Sequence, residues 1–408
     1  MLSSLGTFLC APALTERARL HPAAFTRERT LTLPRIAAMM IGGMRASAQA
    51  ELGGLFAQIQ GSAVRVRAVS EQAFSKARQG FSARLFDQVN AHLLNLAAPL
   101  IDAHRWQGLR VVAADATRIR VSTRANAPLQ ADHWAFALFL PGAELTLHAQ
   151  LHSADGCERQ MLFEALDALA PGRDLLVLDR GYPADWMAAA LAQRGLDVCM
   201  RVDATGWKVV KDFLRSGQSE AQIILKHPKA RAAQDYELQR LPTCMRLIRD
   251  LTPAGSVRVL ITSLLDTERY PAAAFGALYH RRWRVEEAFK RIKHRLHLEA
   301  VSGLNYLALQ QDFAAKVVAD NLHILLAAAN DPEAAMQAEP DSRPNRTFAL
   351  GTLKPILAGC LLAVRRCIRA LAEALDVILA TRCRVQPNRS YPRSDRVKPH
   401  AHRAYRGA

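Results

Sequence analysis

Tyr279-His-Arg-Arg-Trp-Arg-Val-Glu-Glu-Ala-Phe-Lys-Arg-Ile-Lys293 is the stretch whose reading decides the fold. Laid on an α-helix at about 100° per residue, it brings Tyr279, Arg282, Glu286 and Lys293 within about 60° of one another. Val285, Phe289, Ile292 and Leu296 make an apolar stripe beside that face. His280, Arg281, Arg284 and Arg291 take the remaining face. The pattern predicts a half-buried helix that seats one carboxylate among cationic and phenolic groups at the edge of a core. It also separates two neighbouring acids. Glu286 shares the face of Tyr279 and Arg282, whereas Glu287 is turned about 100° away, toward solvent. A surface helix with solvated charges is the simpler alternative, and the helix alone does not exclude it. One carboxylate holds Mg²⁺ only weakly, so Glu286 needs acidic partners elsewhere in the chain.

The rest of the composition says what kind of partner to expect. A net charge of +17 and a pI of about 10.1 point to a polyanion, nucleic acid before membrane. At 408 residues, half of them hydrophobic, the chain is long enough for two or three domains with a sizeable core. Its seven cysteines are odd in number and form no C-x-x-C pair, which fits a reduced, cytoplasmic protein. No apolar run is long enough to span a bilayer; Pro355–Val364 is the best candidate, and Arg365-Arg366 closes it. Met1–Leu14 lacks the basic start of a signal peptide.

Taken in order, residues 1–25 read as a loose lead-in. Helical patterns follow over Leu31–Ile59, over Val69–Arg78 with Ser70 as N-cap, and over Phe81–Ile101 with Phe86, Val89, Leu93 and Leu94 on one side. With Arg and Lys between them, residues 1–105 suggest a helical DNA-binding domain, although an ordinary helical packing domain fits equally well. The character changes at Gly108. A β-rich run over Leu109–Val121 is interrupted by Asp115, and Trp134–Leu140 and Glu144–His152 flank a Pro-Gly turn as a hairpin. A helix over Arg159–Ala170 leads to the buried strand that ends in Asp179-Arg-Gly-Tyr182. A further helix runs over Pro183–Arg194 and a strand over Leu196–Val202. This is an α/β layout with a mixed sheet. Between 204 and 270 short strands are expected at Trp207–Phe213, Ala221–Lys226, Tyr236–Leu241, Met245–Arg249 and Val257–Ser263, a β-rich insertion. Helices are expected again over Asn305–Ala329 and Phe348–Ala380. The tail Arg382–Ala408, rich in Arg and Pro, reads as disordered when free.

Three acids stand out by context: Asp115 inside a buried strand, Asp179 at a strand end before a Gly turn, and Glu286 on the helix. Strand-borne and helix-borne acids of this kind can converge on two divalent metals about 4 Å apart, the arrangement of phosphodiester chemistry. Carboxylates suit Mg²⁺ or Mn²⁺, and no Cys/His set argues for zinc. Each acid by itself is more simply a cap, a turn residue or an ion-pair partner; the conjunction is what points to chemistry.

Asp115-Ala-Thr, Leu178-Asp-Arg-Gly-Tyr182 and Tyr279-x₂-Arg282-x₃-Glu286-x₆-Lys293 resemble the DDE transposases of bacterial insertion sequences. The last of them resembles the tyrosine–arginine–glutamate–lysine signature of the insertion sequence four family. Phe25-Thr-Arg-Glu-Arg29, Arg389-Ser-Tyr-Pro-Arg393 and Lys398-Pro-His400 extend the likeness toward both ends. The resemblance implies an RNase H-like catalytic core over 106–203 and 271–330, interrupted by a β-strand insertion domain over 204–270. Helical regions over 1–105 and 331–408 flank it. It implies Asp115, Asp179 and Glu286 as catalytic metal ligands for two Mg²⁺ ions, with Mn²⁺ as a substitute. It implies Tyr279, Arg282 and Lys293 as contacts to phosphates of the transposon end, in the company of Arg180 and Tyr182. Some relatives stack a flipped base on an insertion-domain tryptophan. Trp207 is the only Trp of that region, although a core role is the simpler reading. The implied partners are terminal inverted repeats and target DNA, bound by a dimer in the synaptic complex. The implied activity is cut-and-paste cleavage and strand transfer. A catalytically inactive DNA-binding relic or repressor, and a metal-dependent nuclease without strand transfer, are the competing readings.

Overall fold

A computed structural model describes all residues except 28, 122–131, 204–205, 253–254, 338–341 and 385–408. The chain divides into two compact units: Met1–Leu100, Arg118–His133 and Phe289–Ala408 form one, and Ile101–Thr117 with Trp134–Ala288 the other.

The first unit is helical. Its axis is the 25-residue helix Tyr306–Asn330, against which Leu33–Ile41, Arg84–Leu96 and Arg365–Ala380 pack. Asn305 caps this helix by accepting a hydrogen bond from the Ala308 N–H at 2.8 Å, and Ser70 caps Glu71–Arg78 as its position predicts. Several polar groups buried between the helices are paired. Arg78 donates to Asp312 at 2.9 Å and to Gln311 at 2.8 Å, and Arg291 pairs with Asp320 at 3.0 Å. Arg291 is therefore internal, not on the outward face that the ideal helix assigns it. The first 25 residues are not a loose lead-in either. Leu2–Cys10 and Pro12–Ala18 are helices, and Leu5, Leu9, Leu14 and Ala18 are buried. Leu5 and Leu9 are four residues apart, so one helix face carries both into the core.

The second unit is built on a sheet of eight strands: β1 Arg110–Arg120, β2 Asp132–Leu140, β3 Leu145–His152, β4 Asp174–Leu178, β5 Asp197–Val202, β6 Glu220–Leu225, β7 Thr243–Leu251 and β8 Val257–Thr262. Their order is β3-β2-β1-β4-β5-β8-β7-β6. β1, β4 and β5 run parallel; β3 is antiparallel to β2, and β8, β7 and β6 alternate beyond β5. The first five strands have the arrangement of an RNase H-like core. β6–β8, the strands of the expected insertion, extend that same sheet past β5. Two strands expected there are absent. Lys208–Ser216 is a helix, because Val210 and Phe213, three residues apart, are both buried. After the helix Ala230–Asp235 the chain turns through Glu237 at φ 52°, which no strand accommodates.

One face of the sheet explains how the decisive helix is seated. Val111, Leu175, Val177, Cys199, Leu260 and Ile248 come from five strands and form one apolar cluster with Phe275, Leu278 and Tyr279. The helical run over 275–295 is not uniform. An α-helical piece Phe275–His280 tightens to a 3₁₀ turn at Arg281–Trp283, returns to α at Arg284–Lys290, and widens to a π turn at Arg291–Arg295. The face derived from about 100° per residue holds through Glu286 and lapses at the π turn, before Lys293.

Candidate active site

The site begins with strand register. Arg110 and Asp174 open β1 and β4, and their side chains form a bidentate pair at 2.6 and 2.5 Å with Asp174 fully buried. That pair sets the parallel register Arg110↔Asp174 through Ala113↔Val177. Asp115 and Asp179 each lie two residues past the last paired position, so they emerge together at the carboxyl ends of neighbouring parallel strands. Ligand crevices of open α/β sheets form at such ends. Val111 to Ala114 and Leu175 to Leu178 are buried, and partial exposure starts at the acids.

The helical run brings the remaining groups. Tyr279 and Arg282 are buried, Glu286 is half-buried and Glu287 is exposed. Arg282 Nη2 donates to Glu286 Oε1 at 3.1 Å, and its guanidinium carbon lies 5.9 Å from the centre of the Tyr279 ring. Asp179 Oδ1 accepts from the Gly181 N–H at 2.7 Å. A fourth acid, Glu158, opens the helix Glu158–Glu164; its Oε2 lies 3.7 Å, and Asp179 Oδ1 3.0 Å, from where a Cβ on Gly181 would stand. Sequence reasoning missed Glu158, because an acid in the first turn of a helix ordinarily needs no more explanation than the helix dipole.

The groups perturb one another. Burial pushes the Asp115 carboxyl up to about 7; Arg282 opposes the rise, and Glu158 and Glu286 add to it. Burial also raises Glu158, with Asp179 adding. The Tyr182 phenol is raised well above its ordinary range by burial and then by Glu158, Asp115 and Asp179. For Arg282 burial works against the charge, but Tyr279, Asp115, Asp179 and Glu286 outweigh it and hold the guanidinium protonated. Arg282 thus sits as the counter-cation of an acidic cluster. Two hydrogen-bonding groups within the cluster are unmet: the Tyr182 hydroxyl and Arg282's own Nε are buried without a partner.

The other expected contacts are scattered. Arg180 is exposed beside Asp179, whereas Tyr182 is wholly buried and presents no surface. Trp207 is half-buried at the start of the helix Lys208–Ser216. Lys293 belongs to the helical unit, where its ammonium donates to the Arg118 carbonyl. Among the described residues no three Asp, Glu, His or Cys side chains are gathered at metal-ligating distance. Glu286 is instead held by Arg282, and Asp179 by the Gly181 N–H. The donor set is nonetheless all oxygen, the donor type of Mg²⁺ and Mn²⁺, and the unmet Tyr182 hydroxyl borders it.

Residues 106–322, more than half of the chain, match the family described as Transposase DDE domain. The match takes in both strand-borne acids and Glu286, and the chain belongs to that family: it is a DDE transposase. Members of this family use divalent metal ions. No curated protein matches the sequence. Among solved structures the chain is similar to the piggyBac transposase, seen by cryo-electron microscopy in a synaptic complex with hairpin DNA. The two are 10% identical, with a TM-score of 0.44 over 97% of this chain and 84% of that one. No helix among the described residues is long and apolar enough to cross a membrane.

Proposed function

We propose that this transposase is of the insertion sequence four type and moves its element by cut-and-paste, cleaving at terminal inverted repeats and joining the ends to target DNA in the cytoplasm. The observation that carries the reading is the position of Asp115 and Asp179, each two residues past the last paired position of adjacent parallel strands, with the helical run that carries Glu286 anchored on the same sheet through Phe275, Leu278 and Tyr279. Asp115, Asp179 and Glu286 would hold the Mg²⁺ ions, for which Mn²⁺ substitutes. Bound there, the ions supply activation of the attacking oxygen and stabilisation of the leaving one. In cleavage, a water oxygen forms the new bond to phosphorus, the bond to the 3′ oxygen breaks, and that oxygen takes a proton. In joining, the freed 3′ hydroxyl loses its proton and forms a bond to a target phosphorus, while the target strand's own bond from that phosphorus to its 3′ oxygen breaks and that oxygen takes a proton. The chain's own groups fix the geometry. Gly181 orients Asp179, the Arg110–Asp174 pair sets strand register, and Arg282 balances the acids until cations enter. Arg180, Tyr279 and Lys293 are assigned to phosphates of the transposon end, which is presented by a dimer in the synaptic complex.

The test uses DNA carrying the inverted repeats that flank the gene. Asp115→Ala, Asp179→Ala and Glu286→Ala are expected to abolish cleavage and leave end binding nearly intact, because affinity comes from the basic groups. Glu287→Ala is expected to keep most of the activity. Equal losses in the two glutamate variants would remove the assignment of Glu286. Cleaved ends that never join target DNA would reduce the activity to that of a nuclease.

A further inference from the structure

Glu158 is a side chain that the three-acid site does not use. It opens the helix between β3 and β4, and neighbouring Arg159 Nε donates to the Gly181 carbonyl at 2.7 Å, tying that helix to the Asp179–Tyr182 turn. The tie brings the Glu158 and Asp179 carboxylates together over Gly181, the one position of the turn with no side chain to fill the space. Any Cβ at Gly181 would touch the Asp179 oxygen at 3.0 Å. Among the described residues Glu158 closes no hydrogen bond or ion pair of its own. Arg159 and Arg282 are the cations near Glu158, yet its half-buried carboxylate still faces that of Asp179 across Gly181, and a further cation between two such groups offsets the cost of holding both. A second observation points the same way. The Tyr182 side chain is fully buried, its hydroxyl has no hydrogen-bond partner, and Glu158, Asp115 and Asp179 are the acids around it. A phenol donor left unmet among acids calls for an oxygen that the protein does not supply, such as a water or phosphate oxygen carried by a cation.

We infer that Glu158 is a fourth carboxylate of the divalent-cation site, facing Asp179 across Gly181, with the Tyr182 hydroxyl donating to an oxygen that arrives with the cation. This deepens the proposed function and rests on its reading of Asp179 as a ligand.

The experiment measures Mn²⁺ binding to the full chain by electron paramagnetic resonance and calorimetry. Wild type is compared with Glu158→Gln, Asp179→Asn and Glu164→Gln, the last a control on the same helix. Glu158→Gln is expected to weaken Mn²⁺ binding on the order of tenfold or more. Glu164→Gln should leave it unchanged, and all variants should retain the wild-type circular dichroism. A measurement that needs no variant accompanies it: Fe²⁺ with ascorbate and peroxide should cut the wild-type backbone near residues 158 and 181. Unchanged Mn²⁺ affinity in Glu158→Gln, together with its loss in Asp179→Asn, would overturn the role of Glu158 and leave the active site as proposed. Iron cleavage confined to the Asp179 turn would overturn it equally. A wild-type chain that binds no Mn²⁺ would bring down the site itself and this inference with it.

Discussion

Asp115 is a single residue on which folding and its proposed role as a metal ligand pull in opposite directions. Its strand is apolar up to Ala114, and burial raises its carboxyl to about 7 from an ordinary 3.8. Between those values the folded protein binds a proton that the unfolded chain does not. Stability without metal is therefore full below about pH 4 and is lost as pH rises through 7. Asp115→Asn removes that dependence. The variant should match wild type near pH 4 and exceed it at pH 8, by up to about 4 kcal/mol, taking ~1.4 kcal/mol for each pH unit between the two pKa values. Chemical denaturation in chelator at both pH values checks this; an Asn variant less stable than wild type at pH 8 would contradict the burial argument. Divalent metal should close the gap, because a bound cation stabilises the ionised wild-type carboxylate and has less to gain from an amide.

Within the helical run 275–295, two arginines that look alike in sequence do different work. Arg291 is buried against Asp320 in the helical unit. Arg291→Ala would leave that acid buried with its charge uncompensated, at a cost of roughly 3–5 kcal/mol read by urea unfolding. A loss below about 1 kcal/mol would mean that water reaches Asp320. Arg282 instead faces Glu286, Asp115 and Asp179. As an internal counter-cation it stabilises the metal-free site, so Arg282→Ala should lower the melting temperature in chelator and regain much of the loss with Mn²⁺. If melting and Mn²⁺ affinity stay at wild-type values and only strand joining fails, Arg282 holds DNA phosphate instead. Lys293→Ala tests the neighbouring case. It should keep Mn²⁺ affinity and first-strand nicking, and lose the later steps in which the end must be held in register.

Over the whole molecule, charge sets the terms of DNA binding. With a net charge of +17, affinity should fall steeply with salt, by about 0.9 in log–log slope for each duplex phosphate contacted. Truncation has a natural place. Arg382 pairs with Asp331 and donates to Ser342, and Arg382–Arg384 pairs with Ser342–Pro344 as a short ladder, so a deletion should begin at Val385. Residues 385–408 carry six Lys and Arg against one Asp and lie outside the described residues. Their removal should flatten the salt slope by up to about five and weaken non-specific binding more than end binding. An unchanged slope would take the tail out of the DNA interface.

Local pattern was enough for what a short stretch of chain determines by itself. Phe86, Val89, Leu93 and Leu94 share a buried helix side because the helical period puts them there, and Ser70 caps its helix because its side chain reaches the Ala73 N–H. The face that joins Tyr279, Arg282 and Glu286 and excludes Glu287 was legible for the same reason, since it spans two helical turns. It ceased to be legible at Arg291, where a π turn forms in the residues that pair with Asp320, a partner 29 positions away. The amphipathic Leu2–Ala18 and Lys208–Ser216 were misread because short apolar runs carry no label for helix, strand or loop until they have a surface to pack on. Only the tertiary structure decided that β6–β8 continue the core sheet, since strand pairing over such distances leaves no local trace. Only it revealed Glu158: the helix Glu158–Glu164 says that an acid is tolerable at its start, and the fold alone places that acid opposite Asp179. Long-range convergence of charges depends on how elements pack, which no periodicity within one element encodes.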